Sequence, residues 1–113
     1  QVLANLEALG GADFLAGLVQ EFLRDGEQSL RALEAAAAAG DVSRFRSEAH
    51  ALRSSAANIG AKGVWVACRA AEGLPAAEVR AAGPGQAVAV RSELGRVRAA
   101  WGRFHNSKDL GAT

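Results

Sequence analysis

The stretch "DVSRFRSEAHALRSSAANIG", Asp41–Gly60, decides the fold. Val42, Phe45, Ala49, Leu52, Ala56 and Ile59 recur at spacings of 3-4-3-4-3, which is one face of an α helix. Asp41 is placed as its N-cap, and Asn58-Ile59-Gly60 as the turn that ends it. Arg44 stands where a capping box would carry glutamate. The helix therefore has an apolar side that needs partners and a polar side that faces water.

The flanking sequence supplies those partners. Upstream, Leu15, Leu18, Phe22, Leu30, Leu33 and Ala37 make a helical stripe over residues 12–39. Gly26 falls in its one gap, so a bend is expected there. Val2, Leu3, Leu6 and Leu9 line a short first helix closed by Gly10-Gly11. Downstream, residues 61–73 offer Val64, Cys68 and Ala71 on one face, with Gly63 a local weak point. "GLPAAEVRAAGPGQ", residues 73–86, reads as a loop that holds at most a helical turn. The last helix, from about Gln86 to Phe104, shows Val90, Leu94, Val97, Trp101 and Phe104. The prediction is all-α: an antiparallel up-down four-helix bundle with a short N-terminal capping helix. It occupies residues 1–105, and residues 106–113 are a polar tail.

Composition narrows the function. The chain has 113 residues, half of them apolar, which suits one modest core. A net charge of +1 gives no bulk attraction for nucleic acid. No run reaches the ~18 apolar residues of a membrane span, and no signal-like segment opens the chain. The single cysteine, Cys68, has no partner for an internal disulfide and points to a reducing compartment. An opening at Gln1 rather than methionine is expected of a module taken from a longer protein.

His50 is one of two histidines. At ~100° per residue it lies roughly 130° from the centre of the apolar stripe, so it faces outward. Its neighbours one turn away are Arg46, Ser47, Arg53 and Ser54, and Ser43 and Ala57 extend the strip. A neutral imidazole there is a nucleophile, and the arginines place fixed positive charge beside any phosphoryl group it takes up. Small neighbours let another protein approach the ring. A surface histidine with solvated arginines is also an ordinary helix exterior, and spacing alone leaves the choice open. His105, in the tail region, lacks such surroundings. Two histidines and one cysteine on separate segments make a metal-binding bundle the weakest reading, and no metal site is expected.

"AHALRSSAANIGAKGVWVACRAAE" resembles the signature of histidine phosphotransfer (HPt) domains, roughly His-x-Leu-Lys-Gly-Ser, then Gly-Ala, a cysteine and a Leu-Glu pair. His50, Leu52, Arg53, Ser55, Gly60, Ala61, Cys68 and Glu72 fall in step with it. "LEALGGADFLAGLVQEFLRDGEQSLRALEAAAAAGD" is similar to the family's first two helices. The resemblance implies that His50 accepts a phosphoryl group from the aspartyl phosphate of a receiver domain and passes it on in a two-component phosphorelay. It implies Arg53 as charge support, to which Arg46 adds by its place one turn before His50, and Glu72 as the residue that orients the imidazole. Across an antiparallel turn at Gly60, His50 and Glu72 come to similar heights, which suits that role. Ser47, Ser54 and Ala57 are the expected docking surface. Two positions depart from the pattern: Ser54 replaces the usual glycine and Ala71 the leucine before the glutamate. Trp65 reads as a core-edge residue.

Without a P-loop there is no ATP site, no cofactor is expected on the domain, and Mg²⁺ is expected to come with the receiver. The expected partners are response-regulator receiver domains, not nucleic acid or membrane. The isolated domain is expected to be a monomer in the cytoplasm, either alone or as the C-terminal, cytoplasmic module of a hybrid sensor kinase. The competing function is an HPt-like module that docks a receiver or another enzyme without transfer.

Overall fold

The computed structural model describes the backbone of residues 2–112 and the side chains of residues 10–104. It is all-α. In chain order the helices are α1 (Val2–Ala39), α2 (Val42–Ile59), α3 (Lys62–Glu72) and α4 (Val79–Ala112), with a 3-10 turn at Ala76–Glu78 before α4. There is no strand among the described residues.

Each helix packs on two neighbours, in the closed ring α1–α2–α3–α4–α1. Cross-contacts give the directions. Arg46 and Arg53 of α2 meet Leu74 and Glu72 in reverse order along the chain. Arg80 and Arg91 of α4 meet Ala39 and Glu34 in the same reversed sense. The bundle is therefore antiparallel, as two-residue connections at Gly40-Asp41 and Gly60-Ala61 require.

The stripe of α2 is buried as read: Phe45, Ala49, Leu52, Ala56 and Ile59. They meet Leu15, Val19, Phe22, Leu30, Leu33 and Ala37 of α1, Val64, Cys68 and Ala71 of α3, and Val90 and Leu94 of α4. Leu18 is only partly buried, and Val19 takes the fully buried place beside it. No polar or charged side chain is buried among the described residues, so the core is held by apolar contact alone. The Asp41 side chain caps α2 by accepting from the Arg44 N–H at 3.1 Å. Gly60, at φ 77°, closes it in the left-handed conformation.

The break after the short first helix falls in the Gly10-Gly11 pair, as read, and three other features differ. The break between the short first helix and the rest lies at Gly11 (φ 85°, ψ 175°), and the helical run is otherwise continuous to Ala39. How the side chains of residues 2–9 cap the bundle lies outside the described residues. Gly26 does not break α1, whose backbone is helical there; it is buried, and a Cβ there would stand 3.0 Å from Leu94 Cδ2. Its missing side chain makes room for α4.

The largest difference is at the start of α4. Residues 79–86, read as loop, are the first turns of α4, with Pro84 inside the helix. Proline there removes one N–H near the start of the helix. Tertiary burial overrides that loss: Val79, Gly83, Ala87, Val90 and Leu94 form one continuous buried stripe. The backbone at the other end stays helical to Ala112, through most of the segment read as a tail. The side chains of that segment, His105 included, lie outside the described residues.

Candidate functional site

The outer face of α2 carries the site. Phe45, Ala49 and Leu52 anchor the helix on its inner side, and this turns His50 to solvent with 62 % of its side chain exposed. Ser43, Arg46, Ser47, Ser54 and Ala57 are exposed along the same strip, and Arg53 is half-buried. Every expected residue of the strip is therefore on one accessible face, and Ser54 presents its hydroxyl there rather than the bare backbone of a glycine.

α3 contributes the second half. The turn at Gly60 brings α3 back along α2, and Glu72, its last residue, reaches across. Glu72 Oε1 is 3.1 Å from His50 Nδ1. Arg53 Nε donates to Glu72 Oε2, and Arg53 Nη2 lies 3.5 Å from Oε1. Arg53 Nη2 is also 3.1 Å from His50 Nδ1. Nδ1 has one bond to give here: protonated, it donates to the carboxylate; unprotonated, it accepts from the guanidinium. In the first case Nε2 keeps its lone pair toward solvent.

Partial burial alone would push the Glu72 carboxyl up. The hydrogen bonds from Arg53 and His50 outweigh it and hold the group below the usual carboxylate range. Glu72 is thus an anion at neutral pH. Cys68, one turn before it on α3, faces the core; burial, with the nearby Glu72 charge, pushes its thiol up to about 12. It is a packing residue.

Three contacts escaped the sequence. Arg53 does not stand free beside the imidazole; it is paired with Glu72. Arg46, on the other side of His50, sends Nη2 to the Leu74 carbonyl at 3.0 Å, tying α2 to the end of α3. Trp65 is at the core edge, as read, but two guanidinium groups lie over its ring: Arg53 Cζ at 5.8 Å and Arg69 Cζ at 5.3 Å from the centroid. The spacing Trp65-Arg69-Glu72, i, i+4, i+7, is the signal that places these three on one face of α3.

Among the described residues no three His, Cys, Asp or Glu side chains are grouped to hold a metal ion, and no helix is long and apolar enough to cross a membrane.

Comparison with known proteins agrees with this fold. The Hpt domain family model matches residues 17–100. The chain is similar to the crystal structure of histidine-containing phosphotransfer protein B (HptB) from Pseudomonas aeruginosa PAO1, with 27% sequence identity and a TM-score of 0.79. The match covers 94% of this chain and 91% of that one. No curated protein matches. An all-α bundle with a histidine held outward on its second helix, matched over most of its length, leads to one conclusion: the chain belongs to the Hpt domain family, the histidine phosphotransfer modules of phosphorelays.

Proposed function

We propose that His50 is the residue that carries the phosphoryl group. The observation behind this is the pairing of an exposed ring with a carboxylate on its Nδ1. In the tautomer whose Nδ1–H donates to the Glu72 carboxylate, the neutral ring has its reactive lone pair on Nε2. Nε2 attacks the phosphorus of a receiver's aspartyl phosphate. The N–P bond forms, the P–O bond to the aspartyl group breaks, and the aspartate leaves as a carboxylate. The Nδ1 proton stays on the ring, and Glu72 stabilises the resulting cationic phosphoimidazole. Attack by an aspartate of a second receiver reverses the steps.

Such a transfer is chiefly positioning plus charge stabilisation, which a small helical domain can supply. Arg46 and Arg53 put positive charge within one turn of His50. Ser47, Ser54 and Ala57 form the surface on which the receiver sits, and their small size lets its acidic centre reach the ring. No cofactor is assigned to this domain; Mg²⁺ arrives with the receiver. Hpt domains pair with response-regulator receivers. We read this one as a cytoplasmic monomer with no nucleic-acid partner, either free or as the C-terminal module of a hybrid sensor kinase.

Incubation with phosphorylated receivers, followed by mapping of the phosphoresidue, tests the assignment. His50→Gln is expected to abolish acid-labile labelling with helicity intact. Labelling retained in that variant would overturn it. Ala57→Trp, on the docking strip, is expected to block transfer while leaving thermal stability unchanged.

A further inference from the structure

The first turns of α4 are helical against their own sequence. Gly83-Pro84-Gly85 stands inside the helix. Pro84 has no N–H, so the Arg80 carbonyl lacks the donor that a regular helix supplies four residues on. The glycines on either side are poor helix formers. A short helical segment separated from its successor in this way is held by its neighbours rather than by propensity. Those holds are few over residues 73–83. Val79 is fully buried, and Leu74 is partly buried against the core. Arg80 Nη2 donates to the carbonyl of Ala39, the last residue of α1, at 2.8 Å. Gly40, left-handed at φ 69°, leaves room for that guanidinium: a Cβ there would stand 3.0 Å from Arg80 Nε and Nη2. At the other end, Arg46 Nη2 donates to the Leu74 carbonyl at 3.0 Å. Between these ties, the turn at Ala76–Glu78 buries no residue, and Pro75 is exposed.

We propose that residues 73–83 are a strap that opens as a unit about Gly83-Pro84-Gly85 while the rest of the bundle stays folded, with Arg80 as its latch on the end of α1. Local opening is easiest where apolar anchors are few and hydrogen bonds lie open to solvent. Val79 is the one fully buried side chain of the strap, and the bonds from Arg80 and Arg46 are both exposed. Beyond Pro84 the helix is anchored differently: Ala87, Val90 and Leu94 are all buried. Closed, the strap holds the Arg46 guanidinium on the Leu74 carbonyl. Open, it releases that charge to the outer face of α2, a consequence that rests on the reading of that face as the site of transfer.

The test is amide hydrogen exchange of the full chain, resolved by residue and followed in low concentrations of urea. The amides of Glu78 and Val79 are bonded to the Pro75 and Ala76 carbonyls. They are expected to exchange at least about tenfold faster than the amides of residues 87–94, with little dependence on urea, because the opening exposes little surface. Equal protection on both sides of Pro84, lost together as urea rises, would mean that the segment opens only with the whole bundle and would overturn the proposal. Arg80→Gln is expected to speed exchange at Glu78 and Val79 about fivefold and to leave residues 87–94 unchanged. An unchanged rate would remove Arg80 as the latch. Arg46→Gln is expected to act on the same two amides, since a unit is loosened from either end; an effect confined to Leu74 would show that the segment does not open as one. Pro84→Ala supplies the missing N–H and is expected to slow exchange at both amides at least about fivefold. No slowing there would exclude the hinge. None of these measurements involves phosphorylation, so their failure is distinct from failure of the acceptor assignment, which labelling of His50→Gln reads.

Discussion

Glu72 reaches His50 across the α2–α3 interface, 22 residues away in sequence and 3.1 Å away in space. The carboxylate is the end of α3, the imidazole the middle of α2, and the turn at Gly60 sets them level. The same two helices are linked here by Arg53 to Glu72 and Arg53 over Trp65, and Arg46 reaches the Leu74 carbonyl just past α3.

Removing the Glu72 carboxylate should therefore slow transfer more than it loosens the fold. Glu72→Ala is expected to lower the rate of phosphoryl acceptance on the order of tenfold, about 1.4 kcal/mol of positioning. Circular dichroism should show unchanged helicity. An unaltered rate would leave Glu72 a structural charge.

The same residue makes a signed contribution to stability. Its carboxyl sits below its ordinary value in the fold, so the unfolded chain binds more protons there than the folded one as acid is added. The stabilisation is present above the ordinary glutamate range, near 4.5, and is lost as pH falls through the depressed folded value. Urea midpoints of the parent and Glu72→Gln should differ most near neutrality and converge in acid.

Cys68 behaves in the opposite sense. Its thiol is raised from 9.0 to about 12, so the folded chain holds its proton where the unfolded chain has lost it. Its contribution is intact below pH about 9 and declines as pH rises from there toward the folded value. In the native protein a thiol reagent at pH 8 is expected to react slowly, and at an ordinary rate only after denaturation. Fast native labelling would contradict the burial.

Two glycines of α4 should respond to alanine with opposite signs. A Cβ on Gly83 would stand 2.9 Å from Ala37 Cβ and 3.2 Å from Phe45 Cε1. Gly83→Ala is therefore expected to cost roughly 1–3 kcal/mol through overpacking. A Cβ on Gly95 meets nothing within 4 Å. Gly95→Ala is expected to gain up to about 1 kcal/mol from helix propensity. Thermal melts of both variants check the contrast.

Periodicity alone placed the apolar stripe of α2, from Phe45 to Ile59, and turned His50 away from it, because a regular helix converts spacing directly into direction. The cap at Asp41 was legible for the same local reason. The course of Gly83-Pro84 was not: two turn-forming residues signal a break, while the helix continues on the buried stripe of Val79, Gly83 and Ala87. Gly26 misled in the same way, since its close approach to Leu94 belongs to a neighbour 68 residues away in the chain.

The site divides along that line. Sequence by itself determined which side chains share the outer face of α2, since every one lies within two turns of His50. Only the tertiary structure decided how the charges combine. Whether Arg53 turns to the imidazole, to solvent or to Glu72 depends on where α3 lies and on the Trp65 ring it presents. A guanidinium takes the acceptor that neighbouring helices set within its reach, and no local spacing encodes that distance.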